Sequence, residues 1–151
     1  MPADSLKSFV ESLLLRIGCE FESVEVKGTH RTTVAVRSND GKSLIGQGGE
    51  HLRALNTVAR RMVEHMHGED AANFFIDVNE YREAELERVR QNARMLAQRA
   101  RLFKHDVELP PQSAYERLVV HELFAEDPEI ATESTGEGKF RRIVLKYKTT
   151  A

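Results

Sequence analysis

The residues at positions 46–49, Gly-Gln-Gly-Gly, have the composition of a loop that binds phosphate groups. Glycine permits positive φ angles and removes the Cβ atoms that would hold a ligand backbone away. The helix predicted after this loop presents its free N–H groups and the positive end of its dipole toward the same point. Together these features suit a phosphodiester backbone.

Two common phosphate-binding motifs do not fit this loop. A Walker loop requires a glycine five positions before Gly41-Lys42-Ser43, where the chain has Val36. A dinucleotide fingerprint requires a third glycine at position 51, which is His51, and a strand directly before the loop. A Gly-x-x-Gly turn between two helices remains, preceded by an aliphatic pair.

A second candidate group combines an arginine with a histidine. Arg117 and His121 are four residues apart on a predicted helix, so they lie within one turn on nearly the same face. The planar guanidinium group matches phosphate, and the histidine could donate to a neighbouring phosphate oxygen or stack on a base. Alternatively, Arg117 could pair with an acidic neighbour such as Glu116 or Glu122.

The net charge of −2 argues against a nucleic-acid ligand, but the charges are segregated along the chain. Lys and Arg outnumber acidic residues six to two in residues 29–61, seven to three in residues 81–105 and five to none in residues 139–148. Three cations of the last predicted strand share one face: Arg142, Lys146 and Lys148. This strand, close to the Arg117 helix face, would give a basic surface.

The first half of the chain predicts the order helix–strand–strand–helix–strand, ending near residue 79. The first helix has a face formed by Leu6, Phe9, Val10, Leu13, Leu14 and Ile17. Two strands around residues 24–26 and 33–37 follow, with a turn at Lys27-Gly28-Thr29. The buried face of the long helix after the glycine loop is predicted to consist of Leu52, Leu55, Ala59, Met62 and Met66. Residues 74–78 give the third strand.

The second half begins with a long helix over residues 81–103. Its predicted buried side consists of Leu86, Val89, Ala93, Leu96, Ala100 and Phe103. A brief strand at residues 107–109 follows. Ser113 and Glu116 form a capping box that begins the next helix, and residues 130–134 and 140–148 form a hairpin. The predicted fold class is α+β.

In this context, residues 40–49 and the helix after them resemble the nucleic-acid loop of a KH domain, in the topology common in bacteria. The resemblance implies a clamp on the backbone of about four unpaired nucleotides, whose bases turn into an apolar groove. It implies that the clamp is formed by Gly46, Gln47, Gly48 and Gly49. Ile45 would form the floor of the groove, and Lys42 and Arg53 would neutralise phosphates.

The second half resembles an R-3-H domain, named for its Arg-x-x-x-His pair and associated with single-stranded nucleic acid. The implied contacts of this half are Arg117, His121, Arg141, Arg142 and Lys146. The domains would be a KH-type module at residues 1–79, a connecting helix at 80–105 that packs with both modules, and an R-3-H-type module at 106–151.

The order of the two modules resembles the Jag family, the bacterial SpoIIIJ-associated proteins. The resemblance implies a cytoplasmic, non-catalytic binder of single-stranded RNA that acts as a regulator or RNA chaperone, with a role in cell shape. It also implies single-stranded DNA as a second ligand of the R-3-H module and a small stand-alone KH protein as a partner. No metal or other cofactor is expected.

Two other classes of function stay open. A metal-dependent RNA-processing enzyme would need ligands such as His65 and His67, although residues two apart on a helix point in different directions. A protein-interaction module would use the helix at residues 81–103 for dimerisation. The single cysteine, Cys19, fits a reducing compartment, and no stretch approaches the ~20 apolar residues of a membrane span.

Overall fold

The computed structural model describes residues 1–28 and 31–149, and the chain divides into two compact units, Met1–Arg82 and Glu83–Ala151. Helices and strands occur in both units, which confirms the predicted α+β class. The turn predicted at Lys27-Gly28-Thr29 lies partly outside the described residues. Within the described part of the chain, no helix is both long enough and apolar enough to cross a membrane.

The first unit has the element order that the sequence predicts. Its helices are α1 (Ala3–Arg16), α2 (Gly41–Ile45) and α3 (Glu50–His67), and its strands are β1 (Ser23–Lys27), β2 (Thr32–Arg37) and β3 (Phe74–Val78). Strand β2 is central among these strands, antiparallel to β1 and parallel to β3. The parallel pairing requires a crossover, which α2 and α3 supply, and the glycine loop lies between these two helices.

The core of the first unit forms where α1 and α3 pack against the sheet. Its fully buried side chains include Val10 and Leu14 of α1, Val63 of α3, Val34 of β2 and Ile76 of β3. The buried face of α3 differs from the predicted one, because Met62 and Met66 are 41% and 51% exposed. The face turned to the sheet is instead formed by Leu52, Asn56, Ala59 and Val63.

The buried Asn56 is explained by the edge of the sheet. Its side-chain amide donates to the carbonyl of Ile76 at 2.8 Å, and its side-chain oxygen accepts from the Ile76 N–H at 2.7 Å. Strand β3 is an edge of the described sheet, so these two backbone groups would otherwise lack a strand partner. An unpaired buried amide or carbonyl costs about 1–3 kcal/mol, so Asn56 stabilises the contact between α3 and β3.

The second unit combines two helices with an antiparallel sheet. The helices are α4 (Tyr81–Phe103), which begins in the last residues of the first unit, and α5 (Ala114–Leu123). The strands are β4 (Val107–Glu108), β5 (Ile130–Thr135) and β6 (Arg142–Tyr147), with β6 central among the strands described. The core includes Ala93, Ala97 and Ala100 of α4 and Ile143 and Leu145 of β6.

Two predictions for the second unit have different outcomes. The capping box is present, since the Ser113 hydroxyl accepts from the Glu116 N–H and the Glu116 carboxylate accepts from the Ser113 N–H at 2.7 Å. The burial predicted for Phe103 is wrong, because its side chain is 62% exposed. Phe103 is the last residue of α4 and stacks on His105, with the ring centroids 5.9 Å apart, instead of reaching the core.

Candidate nucleic-acid interface

The glycine loop is a tight turn whose backbone conformation favours glycine at three positions. Helix α2 ends at Ile45, and Gly46 follows with φ 72° and ψ 179°, a combination essentially restricted to glycine. Gly48 and Gly49 are both left-handed, with φ of 61° and 78°. The Gly49 N–H donates to the Gly46 carbonyl at 3.3 Å, and α3 begins at Glu50.

The three glycines differ in what lies beside them. A Cβ atom at Gly46 would be 2.5 Å from Cγ of His51, and one at Gly49 would be 2.9 Å from Cε1 of Tyr81. At Gly48 no atom would lie within 4 Å. Glycine at 46 and 49 therefore makes room for the protein's own side chains, whereas the open space lies over Gly48 and its exposed neighbour Gln47.

Two predicted phosphate contacts flank this open turn. Arg53, exposed on the first turns of α3, donates from Nη1 to the Gly48 carbonyl at 2.8 Å. A guanidinium group has five N–H donors, so this bond holds the group beside the turn without exhausting it. Lys42 is exposed on α2. The turn therefore combines an accessible backbone with cations on both adjoining helices.

The surface of the first unit includes a half-buried apolar side chain next to the glycine loop and an exposed apolar stripe on α3. Ile45, the predicted floor of a base-binding groove, is half-buried and packs against the core, so part of it stays at the surface. Val58, Met62 and Met66 form an exposed stripe along α3. Hydrophobic periodicity does not indicate this stripe, because it assigns Met62 and Met66 to the buried face of α3.

In the second unit, Arg117 contacts a backbone carbonyl and not a carboxylate. Its Nη1 donates to the Gln112 carbonyl at 2.8 Å. Among the described residues it takes part in no ion pair, and the acidic neighbour Glu116 is occupied by the helix cap. The half-buried guanidinium group therefore keeps N–H donors that a phosphate could accept.

His121 is held by two hydroxyl groups of β5. Its Nδ1 lies 2.6 Å from Oγ1 of Thr132, and its Nε2 lies 3.1 Å from Oγ of Ser134. Both ring nitrogens therefore have partners inside the protein. The imidazole ring fixes α5 on the sheet, and a bond from it to a phosphate would have to displace one hydroxyl.

The basic strand and the Arg117 helix face are not brought together as expected. Ser134 and Thr132 pair with the buried Ile143 and Leu145, so they share the sheet face that carries α5 and His121. Side chains alternate along a strand, which places Arg142 and Lys146 on the opposite face. The expected joint surface is therefore wrong.

The cations of β6 are also largely neutralised by neighbouring strands. Arg142 Nε is 3.0 Å from a carboxylate oxygen of Glu108, and Lys146 Nζ is 3.4 Å from Asp106 and 3.8 Å from Glu133. The sequence showed only that β6 lacks acidic residues. It did not show that β6 is central and that its neighbours supply the carboxylates.

Arg141, which directly precedes β6, lies in the same part of the second unit as Arg117. The backbone of Gln112 links the two, because its N–H donates to the Arg141 carbonyl at 3.0 Å while its own carbonyl accepts from Arg117. Arg141 Nη1 donates to the Gly136 carbonyl at 2.8 Å. Arg117 and Arg141 thus both lie beside Gln112. Among the described residues, their guanidinium groups bond only to backbone carbonyls.

No metal site accompanies these groups in the described ranges, 1–28 and 31–149. They contain no cluster of three or more His, Cys, Asp or Glu side chains that could hold a metal ion. The pair His65 and His67 at the end of α3 is exposed.

Comparison with known proteins gives two family matches that overlap in the middle of the chain. The KH domain profile matches residues 18–108, more than half of the chain, and the R-3-H domain profile matches residues 84–147. The first match contains the glycine loop, and the second contains Arg117 and His121.

Similar proteins include two that are called RNA-binding protein KhpB. The protein from Clostridium symbiosum is 29% identical over 127 residues, which is 83% of this chain and 57% of that protein. The protein from Bacillus subtilis (strain 168) is 31% identical over 107 residues, 70% of this chain and 51% of that protein. The chain thus spans little more than half the length of these relatives.

Proposed function

We propose that this chain, which belongs to the KH domain family and carries an R-3-H domain in its second half, binds single-stranded RNA without catalysing a reaction on it. The observation that carries the proposal is the open turn at Gln47 and Gly48, with the Arg53 guanidinium group at its carbonyl and the start of α3 behind it. The names of the related proteins, which are RNA-binding proteins, support it.

At the glycine loop, the RNA backbone would lie against Gln47 and Gly48. The first N–H groups of α3 lack partners within the helix and carry the positive end of its dipole, so they favour a phosphate there. Lys42 and Arg53 would neutralise flanking phosphates. Gly46 and Gly49 keep the turn in shape, and the bases would turn toward Ile45.

In the second unit, Arg117 and Arg141 are the proposed backbone contacts, for RNA and also for single-stranded DNA. His121 would act mainly by holding α5 and thereby Arg117. Arg142 and Lys146 contribute only if RNA replaces their bonds to Glu108, Asp106 and Glu133, so we assign them the weaker contacts.

The wider assignment follows from the resemblance of the module order to the Jag family. We propose a KH module at residues 1–79, a connecting helix at 80–105 and an R-3-H module at 106–151. The proposed setting is the cytoplasm, where the chain would act as an RNA chaperone or regulator that influences cell shape, with a small stand-alone KH protein as its partner.

A matched pair of double variants tests the glycine loop. Gln47→Asp with Gly48→Asp places two negative charges on the proposed phosphate track, whereas Gln47→Asn with Gly48→Asn introduces side chains of nearly the same size without charge. Asn and Asp both tolerate the left-handed conformation at position 48. In a fluorescence anisotropy titration with labelled single-stranded RNA, we expect the Asp pair to lose at least about tenfold more affinity than the Asn pair, since like charges in contact are costly.

Equal affinities for the two double variants, with native circular dichroism spectra, would remove the glycine loop from the RNA site. Duplex RNA should bind less tightly than the single strand. The labelled RNA should also keep its length on a denaturing gel after incubation with Mg²⁺, and shortening that depends on the protein would contradict a non-catalytic role.

A further inference from the structure

The turn between β5 and β6 carries an exposed aromatic ring. Phe140 is 62% exposed and ends the short helical turn Gly138–Phe140. It does not belong to the apolar core of the second unit among the described residues. Lys139 Nζ lies 5.3 Å from the centre of the ring, and Arg141 follows directly. Glu137 is the one acidic residue between Gly136 and Arg142 in the sequence.

This turn is held in shape by bonds that do not involve the ring. The Phe140 N–H donates to the Glu137 carbonyl at 3.2 Å, and Arg142 Nη1 donates to the Phe140 carbonyl at 3.2 Å. Arg141 bonds to the Gly136 carbonyl. A Cβ at Gly136 would lie 3.1 Å from the Phe140 carbonyl oxygen, so the backbone passes closely there. The backbone of the turn is thus hydrogen-bonded within the protein, while the ring is largely exposed and contacts Lys139.

The backbone of Phe140 is linked to the arginines assigned to the RNA backbone. Phe140 is bonded covalently to Arg141, whose carbonyl accepts from Gln112, and Gln112 in turn accepts from Arg117. An accessible aromatic face between cations is the arrangement that proteins use for unpaired bases, because the ring stacks on the base while the cations contact the phosphates on either side.

We propose that Phe140 stacks on an unpaired base of the bound RNA, with Lys139 and Arg141 on the adjoining phosphates. This inference rests on the proposed function and adds a base contact to it. Every base has a face that can stack, so the contact would favour single strands over duplex without a strong preference for one base.

The sequence offers a direct probe of this contact, because the chain contains no tryptophan. Phe140→Trp therefore creates a single tryptophan, whose fluorescence is quenched when a base stacks on it. Phe103→Trp is the matched control, since Phe103 is also 62% exposed and belongs to the same unit. On titration with a single-stranded oligouridine RNA, we expect saturable quenching of the tryptophan at position 140 and little change at position 103. The RNA concentration at half-maximal quenching should equal the midpoint of the anisotropy titration.

Affinity measurements complete the test. Phe140→Ala should weaken binding of the labelled RNA about tenfold, within the range found for the loss of one base–aromatic stack, and Phe140→Tyr should restore it. If the wild-type protein binds RNA but position 140 is quenched no more than position 103 and Phe140→Ala binds normally, the inference falls. If the wild-type protein binds no RNA, the proposed function falls with it.

Discussion

Gly46 holds a backbone conformation that the adjoining imidazole ring makes still more restrictive. Its φ of 72° and ψ of 179° exclude other residues. The His51 ring, held by Nδ1 at 2.7 Å from the Ser43 carbonyl oxygen, occupies the space that a Cβ would fill. Position 48 is left-handed but open, so the two glycines should respond differently to substitution.

We predict that Gly46→Ala lowers the stability of the first unit by about 1–3 kcal/mol from backbone strain, with a further loss from the clash with His51. Gly48→Asn should change stability by less than about 1 kcal/mol, because asparagine tolerates the left-handed region. Urea unfolding of the full chain, followed by circular dichroism, measures both. His51→Ala alone removes the bond to the Ser43 carbonyl, so a double-mutant cycle is needed, and the coupling between the two changes should equal the part due to the clash. Wild-type stability for Gly46→Ala alone would contradict the account.

Local motifs were readable from the sequence, and their spatial partners were not. The glycine loop and the capping box at Ser113 depend on neighbouring residues, so their spacing was sufficient. Gly49 is needed because the ring of Tyr81, which is distant in the chain, occupies the space of a Cβ atom. Likewise the hydroxyl groups that hold His121 lie on β5, and no periodicity in the sequence indicated them.

Helical periodicity predicted the existence of α3 but gave part of its buried face wrongly. Leu52 and Ala59 are buried as predicted, whereas Met62 and Met66 are exposed. The buried face includes Asn56, a polar residue that a hydrophobic pattern leaves out. Its burial is favourable because it bonds the free edge of β3, and that edge is a property of the sheet.

The turn before β5 carries a carboxylate that ties it to α4. Asp127 forms an ion pair with Arg101 of α4 and accepts from the N–H groups of Glu129 and Ile130. Burial alone would raise the pKa of Asp127, but the two backbone hydrogen bonds and the charge of Arg101 outweigh it and lower the pKa below the usual 3.8. The folded state therefore favours the ionised form.

The sign of this shift predicts how stability depends on pH. A carboxyl group whose pKa is lowered by folding contributes stability that is complete above its unfolded value and is lost as the pH falls through its folded value. For Asp127 this loss should occur below about pH 4. Asp127→Asn should remove that part of the pH dependence and cost about 1 kcal/mol at neutral pH, as for a partly exposed ion pair.

Thermal unfolding across acidic pH compares Asp127→Asn with Glu137→Gln, an exposed turn residue of the same unit. The control should follow the wild-type curve. If the unfolding temperature of Asp127→Asn also follows the wild-type curve below about pH 4, the Asp127 carboxylate does not contribute to stability in the way that its contacts indicate.

For the whole molecule, the net charge of −2 does not indicate which cations are available to bind a ligand. Segregation along the chain suggested a basic helix at residues 81–105 and a basic last strand. Yet Arg88, Arg90 and Arg94 of α4 pair with glutamates of the same helix. The cations of β6 pair with carboxylates in or directly before the neighbouring strands. Arg53, Arg117 and Arg141 bond instead to backbone carbonyls, which neutralises none of their charge.

Salt dependence should separate these two kinds of arginine. Each phosphate contact on a single strand adds about 0.7 to the slope of log affinity against log salt concentration, because binding releases counterions. Arg53→Met and Arg117→Met should each reduce the slope by about 0.7, and the double variant by about 1.4. Arg88→Met, which removes an exposed arginine paired with Glu85, should leave the slope unchanged. An equal reduction in this control would mean that overall charge, and not contact at the two motifs, governs RNA binding.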